Sequence, residues 1–145
     1  MWESPGIKFE NVKLFSLALH VYGIGFGLEV HEGPQGFSHR CTDAIKLGMV
    51  TTIEPAVYRP DEHGIRLENI VVCKESEPSD FGQCYEFENV TYCPFDNELI
   101  EVDLLTDEEL DWLNKYHTEV YFKLSPSLKS EEKAWLSKAC EQLER

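Results

Sequence analysis

Three glycines stand at alternate positions between two histidines, and this segment constrains the fold more than any other part of the sequence. Gly23, Gly25 and Gly27 lie between His20 and His31, and the four residues that end at His31 alternate apolar and polar side chains. Glycines at alternate strand positions are typical of a place that another backbone approaches closely. We therefore predict a strand, or a pair of strands, from His20 to His31, with a functional edge.

The residues that follow predict further strands. A β-branched run over 47–54 predicts a strand that ends near Glu54, because Pro55 comes next. Residues 65–72 alternate and predict a third strand, with Arg66 and Glu68 on one polar face. Residues 74–83 are predicted to be a charged loop, and residues 84–93 and 99–102 to be additional strands. Residues 12–19 fit either a short helix or a strand.

The end of the chain predicts two helices. Thr106 offers a hydroxyl cap before an acidic first turn, and apolar residues then recur at helical spacing. A second helix is predicted from Ser130 to Leu143. The elements together predict an α+β fold, and the 145 residues, 42% of them hydrophobic, suffice for one globular domain.

Charge and cysteine content narrow the partners and the compartment. The chain carries 27 acidic and 13 basic residues, a net charge of -14, and most of the acid lies after residue 70. The negative electrostatic field of these acidic residues repels phosphates and anionic lipids, so we expect neither nucleic acid nor membrane as a partner. A cationic peptide or protein is tolerated. The five cysteines form an odd set without Cys-x-x-Cys spacing, which favours free thiols in a reducing cytoplasm.

Five side chains on the predicted strands carry the groups that metal and acid-base chemistry need. They are two imidazoles, two carboxylates and a guanidinium: His20, His31, Glu54, Glu68 and Arg66. Strand-borne carboxylates and imidazoles that face one cavity suit a divalent cation. Taken singly, a histidine on a strand is more often a surface or hydrogen-bonded residue, and a glutamate near an arginine is more often a structural ion pair.

Three ordered motifs resemble the creatinase and aminopeptidase P family of dinuclear metallopeptidases. They are HVYGIGFGLEVHEGP at 20–34, LGMVTTIEPAVY at 47–58 and HGIRLENIVV at 63–72. The segment YCPFDNELIEVDLLTDEELDWLNKYH at 92–117 also resembles the C-terminal extension of the eukaryotic cytosolic type. The resemblance implies half of a pita-bread fold, a curved antiparallel sheet flanked by helices. It divides the chain into an N-terminal arm (1–19), the second half of the metallopeptidase domain (20–98) and a C-terminal helical extension (99–145).

The resemblance assigns a role to each candidate residue. Glu54 and Glu68 would be metal ligands, and Glu54 would also act as the general base that holds the metal-bound hydroxide. His20 and His31 would contact substrate and stabilise the tetrahedral intermediate, and Arg66 would orient the ligand carboxylates. The cofactor that the family implies is a pair of divalent ions, manganese or else cobalt or zinc.

Two departures from the family pattern weaken this site. Ile24 occupies the position of the family's ligand histidine and has no lone pair to offer. The family's two aspartate ligands lie well upstream of the glycine-rich segment, and no counterpart is found before His20. Val21, Tyr22 and Phe26 add bulk where the family pattern has small or aliphatic residues, and we expect this bulk to fill the pocket. We therefore expect Glu54 and Glu68 to be vestigial ligands and no metal to bind tightly.

These features leave three functional hypotheses. The first is a catalytically inactive half-domain, a pseudoenzyme that retains a peptide-binding cleft or serves in assembly. The second is an active proline-specific aminopeptidase that cleaves Xaa-Pro bonds and is completed by another chain or an upstream segment. The third is a degenerate gene fragment. A half-domain exposes an apolar face and a strand edge, so a homodimer or a complementing chain is the expected partner.

Overall fold

The computed structural model describes residues 16–27, 29–36, 41–80 and 82–145, with residues 16–20 placed through their backbone pairing. The chain divides into two compact units, one that ends at Val90 and one that begins at Thr91. The first unit contains the described strands and the second contains the helices. This antiparallel sheet and the two helices confirm the α+β class. The domain boundaries expected at residues 20 and 99 stay predictions.

Six antiparallel strands form one sheet around a long central strand. They are β1 (Ser16–His20), β2 (Gly23–Ile24), β3 (Val50–Arg59), β4 (His63–Arg66), β5 (Asn69–Ser79) and β6 (Gly82–Asn89). β1 and β2 pair with successive parts of β3, as do β4 and β5, and β6 pairs with β5. The core of this sheet is built on β3 and β5, where Thr51, Ala56, Val71 and Cys73 are buried.

The strand predicted to end near Glu54 continues five residues further, and that boundary was wrong. Pro55 lies inside β3 and its carbonyl oxygen accepts a hydrogen bond from the Leu67 N–H at 3.2 Å. Pro55 therefore faces the connection between β4 and β5, where β3 has no paired strand on that side. Because no ladder hydrogen bond would be donated there, the missing N–H of the proline costs none.

The charged loop predicted for residues 74–83 is instead the β5–β6 hairpin. Lys74 lies opposite Glu86 and forms ion pairs with Glu86 at 3.2 Å and with Glu88 at 3.4 Å. Cross-strand pairs of opposite charge allow a highly charged segment to remain in a ladder with both faces in water. The strand predicted around residues 84–93 is confirmed as β6, although it ends at Asn89.

The glycine-rich segment is less extended than predicted. Within the predicted span from His20 to His31, His20 ends β1 and Gly23 and Ile24 form β2. Tyr22 forms an isolated bridge with Gly36, and residues 26, 27, 29 and 30 form bends. Residues 16–19 of the ambiguous segment are strand, and residues 12–15 lie outside the described residues.

The second unit is built from two helices, α1 (Asp107–Leu124) and α2 (Ser130–Ala139), joined by a short 3-10 turn at Ser125–Ser127. The Thr106 side chain and Glu109 form the predicted capping box at the start of α1. Tyr116, Val120 and Leu136 make the buried core of this unit. No helix in the described ranges is long and apolar enough to cross a bilayer.

Two predictions in the second unit were wrong in detail. Residues 99–102 do not form a strand: Leu99 ends a 3-10 turn (Asn97–Leu99), Val102 begins another (Val102–Leu104), and residues 100 and 101 connect them. The second helix stops at Ala139 rather than Leu143. Asn114 of α1 both donates to the Leu143 carbonyl oxygen at 3.0 Å and accepts from the Leu143 N–H at 2.9 Å, so Leu143 satisfies its backbone without a further helical turn.

Candidate functional site

A pocket of about 320 Å³ in the first unit collects most of the predicted site residues. Four of the five predicted side chains, His31, Glu54, Arg66 and Glu68, line it together. For the fifth residue, His20, the structure describes the backbone, which ends β1 and pairs with Glu54 of β3. The remaining lining residues are Tyr22, Val30, Thr52 and Tyr58.

Glu54 is the most buried charged residue of the pocket, with 5% of its surface exposed. Its Oε1 atom accepts a hydrogen bond from the Thr52 hydroxyl at 2.8 Å. Two nitrogen atoms lie further away: Arg66 Nε is 3.8 Å from Oε2, and His31 Nε2 is 4.0 Å from Oε1. A buried carboxylate needs such compensation, because desolvation strongly disfavours an unpaired charge. Neither the Arg66 nitrogen nor the His31 nitrogen lies within direct hydrogen-bond distance of Glu54.

Arg66 links the two carboxylates of the pocket. Its Nε atom lies 3.4 Å from Glu68 Oε2 in addition to its contact with Glu54. A hydrogen bond and electrostatic attraction to the Tyr58 side chain, and then the charge of Glu68, raise the pKa of the Arg66 guanidinium above its ordinary value. Arg66 therefore remains a fixed positive charge between two negative ones.

His31 is held over the pocket by an aromatic contact and a folded loop. Its ring stacks on Tyr22, with centroids 3.7 Å apart and planes 19° from parallel. The next residue, Glu32, closes the loop: its N–H donates to the Gly23 carbonyl oxygen at 2.8 Å, and its carboxylate accepts the N–H groups of Gly27 at 2.9 Å and Glu29 at 3.3 Å.

The alternating glycines are explained by this loop. A Cβ atom at Gly23 would overlap the Glu32 carbonyl oxygen, and one at Gly25 or Gly27 would overlap the Glu32 carboxylate. The predicted close approach is therefore real, but the approaching group is a glutamate of the same loop.

Ile24 faces the pocket side of the sheet. It pairs with Val50, which lies four residues before Glu54 on β3, and alternate residues of a strand share a face. The isoleucine therefore puts hydrocarbon on the face that carries Glu54. The predicted bulk of Tyr22 does line the pocket, whereas Phe26 is fully exposed.

The described donor set does not fit the two-metal centre that the resemblance implies. No three histidine, cysteine, aspartate or glutamate side chains in the described part of the chain are grouped so as to hold a metal ion. Glu54 and Glu68 are instead bridged by Arg66, and the His31 imidazole lies 4.0 Å from Glu54. Hard divalent ions require several oxygen or nitrogen ligands fixed at once.

Sequence reasoning missed Thr52, Tyr58 and Glu32. Thr52 and Tyr58 could have been predicted from the sequence. Once Glu54 is identified as a site residue, the period of two along β3 places residues 52, 54 and 58 on one face. The role of Glu32 depends on how residues 23–32 fold back, and no periodicity in the sequence reports that.

Two family models match the chain. The model of metallopeptidase family M24 matches residues 7–75, and the model of the C-terminal region of peptidase M24 matches residues 83–143.

Curated relatives agree with the family models. A probable Xaa-Pro aminopeptidase P of Coprinopsis cinerea is 44% identical over 125 residues, which are 81% of this chain and 20% of that protein. Aminopeptidase P2 of Arabidopsis thaliana is 41% identical over 121 residues, which are 79% of this chain and 17% of that protein. The chain thus spans about a fifth of the length of these relatives.

A solved structure shares the fold. X-prolyl aminopeptidase from Caenorhabditis elegans, described as a cytosolic enzyme with a di-nuclear active site, superimposes with a TM-score of 0.77 and 35% identity over 86% of this chain and 22% of that one. This likeness confirms the pita-bread assignment, and a complete site of this family contains two divalent metals. The chain belongs to metallopeptidase family M24 and is part of an aminopeptidase P domain.

Proposed function

We propose that this part of an aminopeptidase P domain binds peptides in the Glu54 pocket without hydrolysing them. The observation that carries the proposal is the pairing of Ile24 with Val50 on the Glu54 face of the sheet. That position offers no electron pair to a metal, and metal-activated water is the nucleophile of the family's chemistry. Peptide binding needs only the polar groups that the pocket retains.

The pocket is suited to a peptide amino terminus. Glu54 and Glu68 supply two carboxylates for an ammonium group, and Arg66 balances only one of them. The gaps of 3.8 and 4.0 Å around Glu54 leave its oxygens free to accept further N–H groups. His31 adds an imidazole that can hydrogen-bond a peptide carbonyl oxygen, and Val30 and Tyr22 add apolar surface.

The ligand class follows from the relatives. Because they are named Xaa-Pro aminopeptidases, a peptide with proline at its second position is the ligand that we propose. A homodimer or a complementing chain is the proposed protein partner, and the cytoplasm is the proposed compartment. The description of the nematode structure as a cytosolic enzyme supports that compartment.

An active metallopeptidase is the second candidate. It is favoured by the convergence of His31, Glu54, Arg66 and Glu68 in one pocket, since the family resemblance assigns metal-binding or catalytic roles to these side chains. The ligands missing from the described residues would then come from another chain or another segment, and the ion would be manganese, cobalt or zinc.

Calorimetric titration with an Ala-Pro-Ala tripeptide tests the proposal. The titration is run once with a chelator and once with manganese, and the products are examined by mass spectrometry. We expect saturable binding in both conditions and an intact tripeptide. Glu54→Gln should weaken binding by about tenfold or more, because it removes a charge-assisted hydrogen bond.

A matched control is Glu62→Gln, since Glu62 is an exposed acid in the turn between β3 and β4 and pairs with Arg59. It should bind like the natural chain. Binding that is lost equally in both variants, or that is absent at millimolar tripeptide, would overturn the proposal, and turnover with manganese would establish the second candidate.

A further inference from the structure

Two cysteines of the second unit lie beside the same buried tyrosine. Cys93 is exposed and precedes Pro94, whereas Cys140 is half-buried at the end of α2 and packs against the core of Tyr116, Val120 and Leu136. The Tyr116 hydroxyl lies 2.9 Å from the Cys93 carbonyl oxygen and 3.4 Å from the Cys93 backbone nitrogen. One side chain of α1 therefore touches the backbone of Cys93 and belongs to the cluster that Cys140 covers.

A second contact brings the same two segments together. The Asn97 side-chain amide donates to the Glu141 carbonyl oxygen at 3.1 Å. Asn97 follows Cys93 by four residues, and Glu141 follows Cys140 directly. This contact places the segment that carries Cys93 alongside the end of α2.

The two thiols also influence each other electrostatically. Burial, and to a lesser degree the charge of the Cys93 thiolate, raise the pKa of the Cys140 thiol above its ordinary value. Cys140 therefore stays protonated more readily, and the exposed Cys93 is the thiol that meets a reagent from solution first. The other three cysteines lie in the first unit, before residue 91.

We propose that Cys93 and Cys140 form a reversible, redox-sensitive disulfide that ties the segment around Cys93 to the end of α2. The oxidant is a small-molecule disulfide of the glutathione class. The Cys93 thiolate attacks one of its sulfurs, the small disulfide bond breaks, and the first small thiolate leaves. The Cys140 thiolate then attacks the Cys93 sulfur, the Cys93–Cys140 bond forms, and the second small thiolate leaves. The two cysteine protons end on the two small thiols, and the two electrons lost by the cysteines reduce the small disulfide.

Peptide mapping after oxidation tests this pair. The full chain is incubated at pH 8 with oxidised glutathione, free thiols are alkylated, and proteolytic fragments are identified by mass spectrometry. We expect a fragment in which Cys93 is joined to Cys140 within one chain, and its disappearance after a reductant is added. Because the bond closes a long loop, the oxidised chain should melt at least about 5 °C higher than the reduced one.

Single-cysteine variants complete the test. Cys93→Ser and Cys140→Ser should abolish the cross-link and the melting shift. Cys84→Ser, which alters a half-buried cysteine of the first unit, should retain both. Since Cys93 is exposed, Cys93→Ser is the variant that folds with least disturbance. A chain that gives only glutathione adducts, only links between chains, or a link to another cysteine would overturn the proposal.

Discussion

Lowering the pH from 7 to 5 should destabilise the second unit through His117. This histidine of α1 has no exposed surface; its Nε2 atom accepts the Phe95 N–H at 3.0 Å, and its buried Nδ1 has no hydrogen-bond partner among the described residues. Burial lowers the pKa of His117 below its ordinary value of 6.5. Below pH 6.5 the His117 imidazole therefore binds a proton in the unfolded chain but stays neutral in the folded chain, and the free energy of unfolding falls as the pH falls. The loss is about 1.4 kcal/mol per pH unit while the folded form stays neutral, which amounts to at most about 2 kcal/mol at pH 5.

Urea unfolding measured at several pH values checks this magnitude. Tryptophan fluorescence reports mainly the second unit, because two of the three tryptophans, Trp112 and Trp135, lie in its helices. His117→Gln is the matched control, since glutamine can accept the Phe95 N–H but does not titrate. Carboxylates titrate equally in both proteins, so the difference between them isolates His117. Equal pH dependence in the two proteins would refute the reasoning.

Three further changes have separate expected outcomes. Glu32→Gln replaces one carboxylate oxygen by an N–H donor, so one of the two loop hydrogen bonds to this side chain is lost. Amide hydrogen exchange in the loop should accelerate and the free energy of unfolding should fall by about 1 kcal/mol, whereas unchanged exchange would contradict the loop description. Leu136→Ala empties a core position that is 1% exposed and should lower the free energy of unfolding by about 2–5 kcal/mol, whereas a loss under about 1 kcal/mol would mean that the core is elsewhere. Thr106→Ala removes the α1 cap and should cost about 0.5–2 kcal/mol with some loss of helical circular dichroism, while Thr118→Ala, on the exposed surface of α1, should cost less.

The periodicity of the sequence predicts the site better than it predicts the strand ends. Alternation over residues 65–72 predicts Arg66 and Glu68 on one polar face, and the structure finds both in the pocket with Glu54. The single strand predicted for these residues was wrong, because Arg66 ends β4 and Glu68 lies in the connection that precedes β5. Register within a strand is a local property, so neighbouring residues report it. Where a strand stops depends on the partner strand, and Pro55 is tolerated only because β4 has ended and β5 has not begun opposite it.

Charge composition misled the prediction at the β5–β6 hairpin for a related reason. A segment rich in Lys and Glu is typical of a loop, but Lys74 meets its two glutamates across the ladder, where only the pairing of the strands brings them together. The folded loop around Glu32 was also beyond prediction, because its carboxylate reaches backbone groups that the sequence does not mark. The cap of α1 was predictable, since Thr106 and Glu109 are three residues apart.

The most direct test of the central claim is calorimetric titration of manganese into the natural chain and into Ile24→His, with hydrolysis of an Xaa-Pro peptide followed in the same samples. The account predicts that the natural chain shows neither stoichiometric metal binding in the micromolar range nor turnover. The histidine variant should bind metal more tightly, because it restores one nitrogen ligand on the face that carries Glu54. Stoichiometric micromolar binding with turnover by the natural chain would contradict the account and establish an active metallopeptidase.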